Sequence, residues 1–122
     1  MTRYSIDSNV IIDSLNGNET ARAEIKRAGA SAISRLTWIE VMSKGEDPAL
    51  RVFEEFMEIF QVDEVDEDIC RRAAALRRER PRLKLPDAVI LASAQVHGRI
   101  LVTRNTKDFP VNMPGIRVPY TL

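Results

Sequence analysis

The sequence predicts an α/β fold in which a mainly parallel sheet lies between layers of helices. Short apolar runs of strand length alternate with helical periods along the chain, and one run, Ile100–Thr103, is apolar enough for a strand buried in a parallel sheet. No internal repeat or linker divides the 122 residues. A chain of this length can bury roughly two-thirds of its unfolded surface, so we predict one domain over residues 1–122.

Turn-forming residues separate the elements predicted in the first third of the chain. The first strand ends at Asp7, the first helix stops near Asn16-Gly17-Asn18, and Gly29 ends the second helix. In order, these elements are a strand at Arg3–Ile6, helices at Asn9–Leu15 and Glu19–Ala28, and a strand at Ser31–Ser34.

Two capping patterns mark the helices that follow. Thr37 and Glu40 have the spacing of a capping box, and Asp47-Pro48 places a capping acid before a proline at the first helical position. The second of these helices has an amphipathic pattern typical of a helix that faces a core. Its apolar residues recur every three or four positions: Leu50, Phe53, Phe56, Met57 and Phe60.

The rest of the chain alternates in the same way. Asp66 is predicted to cap a helix that Pro81 breaks after Arg80, and Pro86-Asp87 opens an apolar helix that ends at His97-Gly98. The predicted strands are an edge strand at Gln61–Val65, the buried Ile100–Thr103 and a last one at Ile116–Val118.

Composition and charge exclude several classes of protein. The net charge is zero, with 44% hydrophobic and 30% charged residues, which argues against nucleic-acid binding by bulk charge and against disorder. The longest apolar stretch, Ala88–Val96, is too short to span a bilayer, and no leader pattern is present, so we expect a cytoplasmic protein. The single cysteine, Cys70, cannot form an internal disulfide, and we predict that it packs in the core.

The charges are unevenly distributed along the chain. Eight acids and no base lie between Glu54 and Asp68, whereas seven bases and one acid lie between Arg71 and Lys84. Both stretches can be solvated helix faces; alternatively, the basic one is a phosphate-binding patch.

Four acids are predicted to follow strands or to open helices at the carboxyl end of the sheet. They are Asp7, Glu40, Asp87 and Asp108. Ligands bind at this end of open α/β sheets, where loops lead from strands into helices. Lying together, the carboxylates would repel one another unless a cation neutralised them. Oxygen ligands without a Cys/His cluster select Mg²⁺ or Mn²⁺, which can activate water for phosphodiester hydrolysis.

Each acid also has a structural explanation of its own. Glu40 can complete the capping box of Thr37, Asp87 can favour its helix dipole, and Asp108 can hold a turn. Asp7 is harder to explain in this way, because the next two residues, Ser8-Asn9, can cap the helix instead. We predict that Asp13 faces solvent or supports the site.

Other catalytic schemes are poorly supported. The only histidine, His97, lies at a predicted helix end away from the acids, where it fits a capping or surface role. No glycine-rich loop of the Walker or Rossmann type is present, which disfavours nucleotide-dependent phosphoryl transfer.

Four motifs in one order resemble those of PIN-domain proteins, and more narrowly those of VapC-type toxins of bacterial toxin–antitoxin pairs. The resemblance runs nearly end to end. The motifs are Ile6-Asp7-Ser8-Asn9-Val10-Ile11-Ile12-Asp13, Ser34-Arg35-Leu36-Thr37-Trp38-Ile39-Glu40, Leu85-Pro86-Asp87-Ala88-Val89-Ile90-Leu91-Ala92-Ser93-Ala94 and Leu101-Val102-Thr103-Arg104-Asn105-Thr106-Lys107-Asp108-Phe109.

The resemblance implies a three-layer α/β/α sandwich and a Mg²⁺- or Mn²⁺-dependent endoribonuclease. Asp7, Glu40 and Asp87 match the family's acidic positions, with Asp7 and Asp87 as the principal metal ligands. Asp108 is predicted as the fourth acid, supported by Thr103 and Asn105, although Asn105 is an alternative for the fourth position. The resemblance also implies a small cognate antitoxin that occupies the active-site groove, and self-association into dimers.

Two alternatives remain at this point. A phospho-accepting receiver is also a small α/β domain with an acidic Mg²⁺ pocket, but the last strand here leads into Pro119 rather than into the lysine that a receiver needs. A PIN-like binding module with weak or no cleavage is the other alternative. The sequence leaves open whether transfer, ribosomal or messenger RNA would be the substrate.

Overall fold

A computed structural model describes residues 2–110 and 112–122, in which strands and helices alternate as predicted. The elements are β1 (Tyr4–Ile6), α1 (Ser8–Leu15), α2 (Glu19–Ala28), β2 (Ser31–Ser34), α3 (Arg35–Met42), α4 (Ala49–Met57), β3 (Gln61–Asp63), α5 (Glu67–Glu79), α6 (Leu85–Val96), β4 (Ile100–Val102) and β5 (Ile116–Arg117).

The strands form one sheet in the order β3-β2-β1-β4-β5, and every pair is parallel. The predicted parallel sheet and the edge position of the strand at Gln61 are therefore confirmed. From β1 the chain moves outward to β2 and β3, then returns to the other side of β1 for β4 and β5. The strand order thus reverses beside β1, and a reversal of this kind opens a crevice at the carboxyl ends of the strands.

Alternating strand residues separate two apolar cores, one on each face of the sheet. In β4, Leu101 packs with residues of α5 and α6, whereas its neighbour Val102 packs with residues of α1 and α2. The second cluster also includes Met57 of α4 and Val41 of α3. Successive strand residues point to opposite faces, so the sheet is covered on both sides. This confirms the three-layer arrangement.

The predicted capping box at Thr37 is wrong. Helix α3 begins at Arg35, and its cap is Ser34, the last residue of β2, whose side chain accepts a hydrogen bond from the Leu36 amide at 3.2 Å. Thr37 is fully buried, and its hydroxyl has no hydrogen-bond partner in the part of the chain that the structure describes. Glu40 therefore lies beyond the first turn, and capping does not explain its presence.

Other helix ends show which local signals were sufficient. Asp66 caps α5 by accepting from the Ile69 amide at 3.0 Å, and His97 lies at the C-cap of α6, as predicted. The prediction for Asp47 is wrong, because Pro48 occupies the N-cap position of α4 and no side chain caps that helix.

Two placements within and before α5 also differ from expectation. Cys70 is exposed, because Ile69, Ala73 and Leu76 fill the core-facing side of α5 and the next residue after Ile69 points away from it. Asp63 is buried and ion-paired with Arg99, although it belongs to the acidic stretch interpreted as solvated. None of the helices in the described ranges has the length and apolar character needed to cross a bilayer.

Candidate active site

Asp7 lies directly after β1, at the carboxyl edge of the sheet, and is almost completely buried. One carboxylate oxygen accepts a hydrogen bond from the Ser8 amide at 2.7 Å, and the other accepts one from the Thr103 hydroxyl, also at 2.7 Å. Asp7 is the N-cap of α1, so the expectation that it plays no capping part is wrong. Burial raises the pKa of Asp7, although the bonds from Thr103 and Ser8 act in the opposite direction.

Glu40 reaches the same region from α3. Its carboxylate accepts a hydrogen bond from the Ser8 hydroxyl at 2.9 Å. Ser8 therefore contacts Asp7 through its amide and Glu40 through its side chain, which connects the first turn of α1 to α3. The Glu40 charge also contributes to the raised pKa of Asp7.

Asp87, in the first turn of α6, is electrostatically coupled to all three of the other predicted acids. Burial and the charges of Asp7, Asp108 and Glu40 raise the pKa of Asp87 to about 6. Four separate segments of the chain thus bring the predicted carboxylates into one electrostatic cluster, which we call the acid cluster.

The loop after β4 supports the acid cluster through a chain of hydrogen bonds. The Thr103 hydroxyl that donates to Asp7 accepts a bond from the Asn105 amide at 3.0 Å. The Asn105 side chain donates to the Asp108 carboxylate at 3.0 Å and accepts from the Asp108 amide at 3.1 Å. In this structure Thr103 and Asn105 therefore orient carboxylates, the geometry expected of supporting residues.

Sequence reasoning missed three residues that organise the site: Ser8, Asn9 and Arg104. The Asn9 side chain donates to the Thr103 hydroxyl at 3.2 Å and accepts from the Arg104 amide at 3.3 Å, so it joins α1 to the loop after β4. The signal available in the sequence was the pair of polar residues directly after Asp7. Ser8 and Asn9 were interpreted only as possible helix caps.

Behind the site, Asp13 is buried and forms an ion pair with Arg104. It also accepts a hydrogen bond from the Tyr120 hydroxyl at 2.6 Å. Burial opposes ionisation of Asp13, but the bonds from Arg104 and Tyr120 outweigh it and keep the pKa of Asp13 below its usual value. Asp13 is therefore not a solvent-facing residue; it holds the loop after β4 and the chain end against α1.

The donor set fits a hard divalent cation. No three Asp, Glu, His or Cys side chains within 2–110 and 112–122 already form a metal cage. Mg²⁺, however, is usually held by one or two carboxylates and several waters. Neither Asp7 nor Asp87 forms a salt bridge within the described residues, so a cation would supply the opposite charge that their ionised forms lack.

Comparison with known proteins agrees with this architecture. The family model described as PIN domain matches residues 4–111. The chain belongs to the PIN domain family. PIN domains in general are nucleases, and the acid cluster lies within the matched range.

Solved structures with the same PIN fold include components of toxin–antitoxin complexes. A chain of a toxin–antitoxin complex from Klebsiella pneumoniae is 38% identical, with a TM-score of 0.91 and coverage of 98% of this chain and 99% of that one. DNA-bound VapBC from Salmonella typhimurium contains a chain with 25% identity and a TM-score of 0.81, covering 96% of each chain. FitAcB from Neisseria gonorrhoeae, at 22% identity, TM-score 0.81 and coverage of 98% and 99%, shows the shared fold alone.

These matches confirm the resemblance to VapC-type PIN proteins. No curated protein sequence gives a significant match to the chain.

Proposed function

We propose that this PIN domain is a Mg²⁺- or Mn²⁺-dependent endoribonuclease that hydrolyses phosphodiester bonds in structured RNA. The observation that carries the proposal is the convergence of Asp7, Glu40, Asp87 and Asp108 at the sheet edge. Hydrogen bonds through Ser8, Thr103 and Asn105 link the first, second and fourth of these acids. Burial, together with the charges of the other three acids, raises the pKa of Asp87 to about 6. Such a cluster costs stability in the metal-free protein, and a nuclease site would give it a purpose.

In this proposal Asp7 and Asp87 bind the cation directly. When bound, the cation neutralises the carboxylates, activates water and stabilises negative charge on the phosphodiester oxygens. Thr103 and the Ser8 amide fix the orientation of Asp7, and the Ser8 hydroxyl holds Glu40 beside it. Asn105 holds Asp108 in the same way. These contacts reduce the reorganisation required when the site binds its ligands.

Cleavage of RNA by the purified chain tests the proposal. We expect cleavage in Mg²⁺ or Mn²⁺, none in EDTA, and a loss of at least about 100-fold in Asp7→Asn, a size typical of removing a principal electrostatic contact. Asp68→Asn is the matched control, because Asp68 is an exposed acid on α5 outside the acid cluster. Equal cleavage by Asp7→Asn and Asp68→Asn would contradict the proposed site, and cleavage that persists in EDTA would contradict the metal requirement.

We further propose that the chain is the toxin of a toxin–antitoxin pair. A small cognate antitoxin would occupy the active-site groove, and the toxin would form a homodimer. The support is the likeness to chains in the Klebsiella pneumoniae toxin–antitoxin complex and in VapBC from Salmonella typhimurium.

Co-expression with the product of a small open reading frame found beside its gene tests this partnership. We expect a stable complex on size exclusion, no RNA cleavage by the complex, and recovery of growth in cells that the chain alone arrests. If Asp7→Asn arrests growth as strongly as the unaltered chain, the arrest does not come from the proposed nuclease.

A further inference from the structure

A basic cleft opens beside Asp108. It has a volume of about 230 Å³ and is lined by Arg80, Arg82, Leu83, Lys107, Asp108 and Pro110. We propose that this cleft, defined by Arg80, Arg82 and Lys107, binds the backbone phosphates of the RNA strand next to the cleaved bond. This inference rests on the proposed function, since it assigns a substrate subsite to the same active site.

The three cations are available for a ligand. Arg80, Arg82 and Lys107 are exposed, and none takes part in a salt bridge or side-chain hydrogen bond within the described residues. The cleft lining carries three positive charges against the single acid Asp108. An unpaired cluster of this sign is suited to phosphate.

Only part of the basic stretch between Arg71 and Lys84 contributes to the cleft. Arg71 pairs with Glu67, Arg72 donates to Gln95, and Arg77 donates to the Leu83 carbonyl. Arg80 and Arg82 instead lie together with Lys107, which is distant in the sequence. The phosphate-binding alternative therefore applies to the end of the stretch nearest the acid cluster.

Both walls of the cleft are anchored in the same apolar core. Leu83 and Phe109 are buried members of the cluster formed with α5 and α6. The Leu83 amide donates to the Arg80 carbonyl at 2.9 Å, and the Phe109 amide donates to the Asn105 carbonyl at 3.3 Å. The backbone that carries the cations is thus held in place before a ligand arrives, which lowers the entropic cost of binding.

The cations of the cleft lie where they can offset the repulsion between the acid cluster and RNA. Four carboxylates repel an approaching polyanion, and flanking cations offset that repulsion. Asp108 belongs to both regions, because it lines the cleft and because hydrogen bonds through Asn105 and Thr103 connect its carboxylate to Asp7. A phosphate in the cleft would therefore lie next to the acid cluster.

Salt-dependent RNA binding provides the test. Binding of a fluorescent single-stranded RNA is measured in EDTA from 0.05 to about 0.5 M salt for the unaltered chain and for R80A/R82A/K107A. Three lost phosphate contacts should lower the salt slope by about 2, which corresponds to about 100-fold weaker binding at 0.1 M salt. The loss should be the same for RNAs of different base composition, since phosphate contacts carry no sequence information.

K26A/K44A/R51A is the matched control, because it also removes three exposed cations and none of them lines the cleft. Thermal unfolding of both variants checks that the fold is retained. A cleft variant, R80A/R82A/K107A, with the same salt slope as K26A/K44A/R51A, or an unaltered chain without salt-dependent RNA binding, would overturn the inference. The inference would also be overturned if the unaltered chain bound polyglutamate and the cleft variant lost that binding but kept its RNA binding. That result would assign the cleft to an acidic protein partner.

Because the binding measurement uses no divalent metal, its outcome is separate from that of the cleavage assay. Absence of cleavage in Mg²⁺ together with cleft-dependent RNA binding would refute the proposed function and leave the phosphate cleft intact. Cleavage with unchanged binding in the cleft variant would do the reverse.

Discussion

Replacing Asp87 by Asn should stabilise the metal-free protein while it disables the proposed nuclease. Burial and three neighbouring carboxylates raise the pKa of Asp87 from 3.8 to about 6, so the folded state disfavours its ionised form. Asn has nearly the same shape and carries no charge. The substitution therefore removes the cost of burying this charge and its repulsion by the neighbouring carboxylates.

The size of the gain follows from the pKa. A rise from 3.8 to about 6 corresponds to about 3 kcal/mol for the ionised group, at about 1.4 kcal/mol for each unit. Asp87 is only partly buried, so solvent screening reduces this to about 1–2 kcal/mol. For a domain of this size we expect an increase in Tm of about 3–8 °C.

The pH dependence has a definite sign. An acid with a raised folded-state pKa destabilises the fold only where it is ionised. The advantage of Asp87→Asn should therefore be complete above about pH 6 and disappear as the pH falls toward 3.8.

Thermal unfolding in EDTA at pH 8 and at pH 4 measures the effect, with Asp68→Asn as the control acid outside the cluster. Added Mg²⁺ should raise the Tm of the unaltered chain more than that of Asp87→Asn, because Asp87 is a proposed ligand. A variant that loses stability in EDTA at pH 8, or gains equally at both pH values, would refute the electrostatic reasoning.

Three further predictions concern Thr103, Glu24 and Cys70. Thr103→Val removes the hydroxyl that donates to Asp7, so Mg²⁺ affinity, followed by the Mg²⁺-induced rise in Tm, should fall about 10–100-fold; an unchanged titration would show that this bond does not orient Asp7. Hydrogen bonds from Arg27, and further ones from Arg117, lower the pKa of Glu24 from 4.5 to about 2. Glu24→Gln should therefore lower the free energy of unfolding by about 1–2 kcal/mol above pH 4.5, a value already reduced because the arginines are partly exposed to solvent. The loss should shrink as the pH falls toward 2. Urea unfolding at pH 7 and pH 3 measures this, and equal losses at both would contradict it. Cys70→Ser should change the free energy of unfolding by less than about 0.5 kcal/mol, because Cys70 is exposed, whereas a loss of core size would mean that it is buried.

Local patterns in the sequence were sufficient to predict most elements. The run that became β4 stands out because a strand covered on both faces needs apolar residues throughout. Strands β1 and β2 contain serines, and they were placed by the turn-forming residues that bound the neighbouring elements. Asp66 and His97 were placed correctly at helix ends, because their capping depends on residues within one turn.

The predicted caps of α1 and α3 were wrong because, in each case, more than one nearby residue could cap the helix. The Thr37 pattern is locally valid, but Ser34 begins the helix earlier because β2 runs directly into α3. For Asp7, Ser8 and Asn9 were available to cap α1, yet Ser8 bonds Glu40 and Asn9 bonds Thr103. The bonds of Ser8 and Asn9 both join residues more than 30 positions apart, and no local pattern contains such a contact.

The sequence by itself determined the α/β class and singled out the four candidate acids, because the period of burial and the residue types near the ends of elements are local properties of the chain. Only the tertiary structure decided that these acids share one electrostatic environment, that Asp13 is a buried support of the site, and that Arg80 and Arg82 join Lys107 in one cleft. Hydrogen bonds need donor–acceptor distances of about 3 Å, and interactions between exposed charges are largely screened beyond about 10 Å. They are therefore set by distances that arise only when the sheet brings separate segments together.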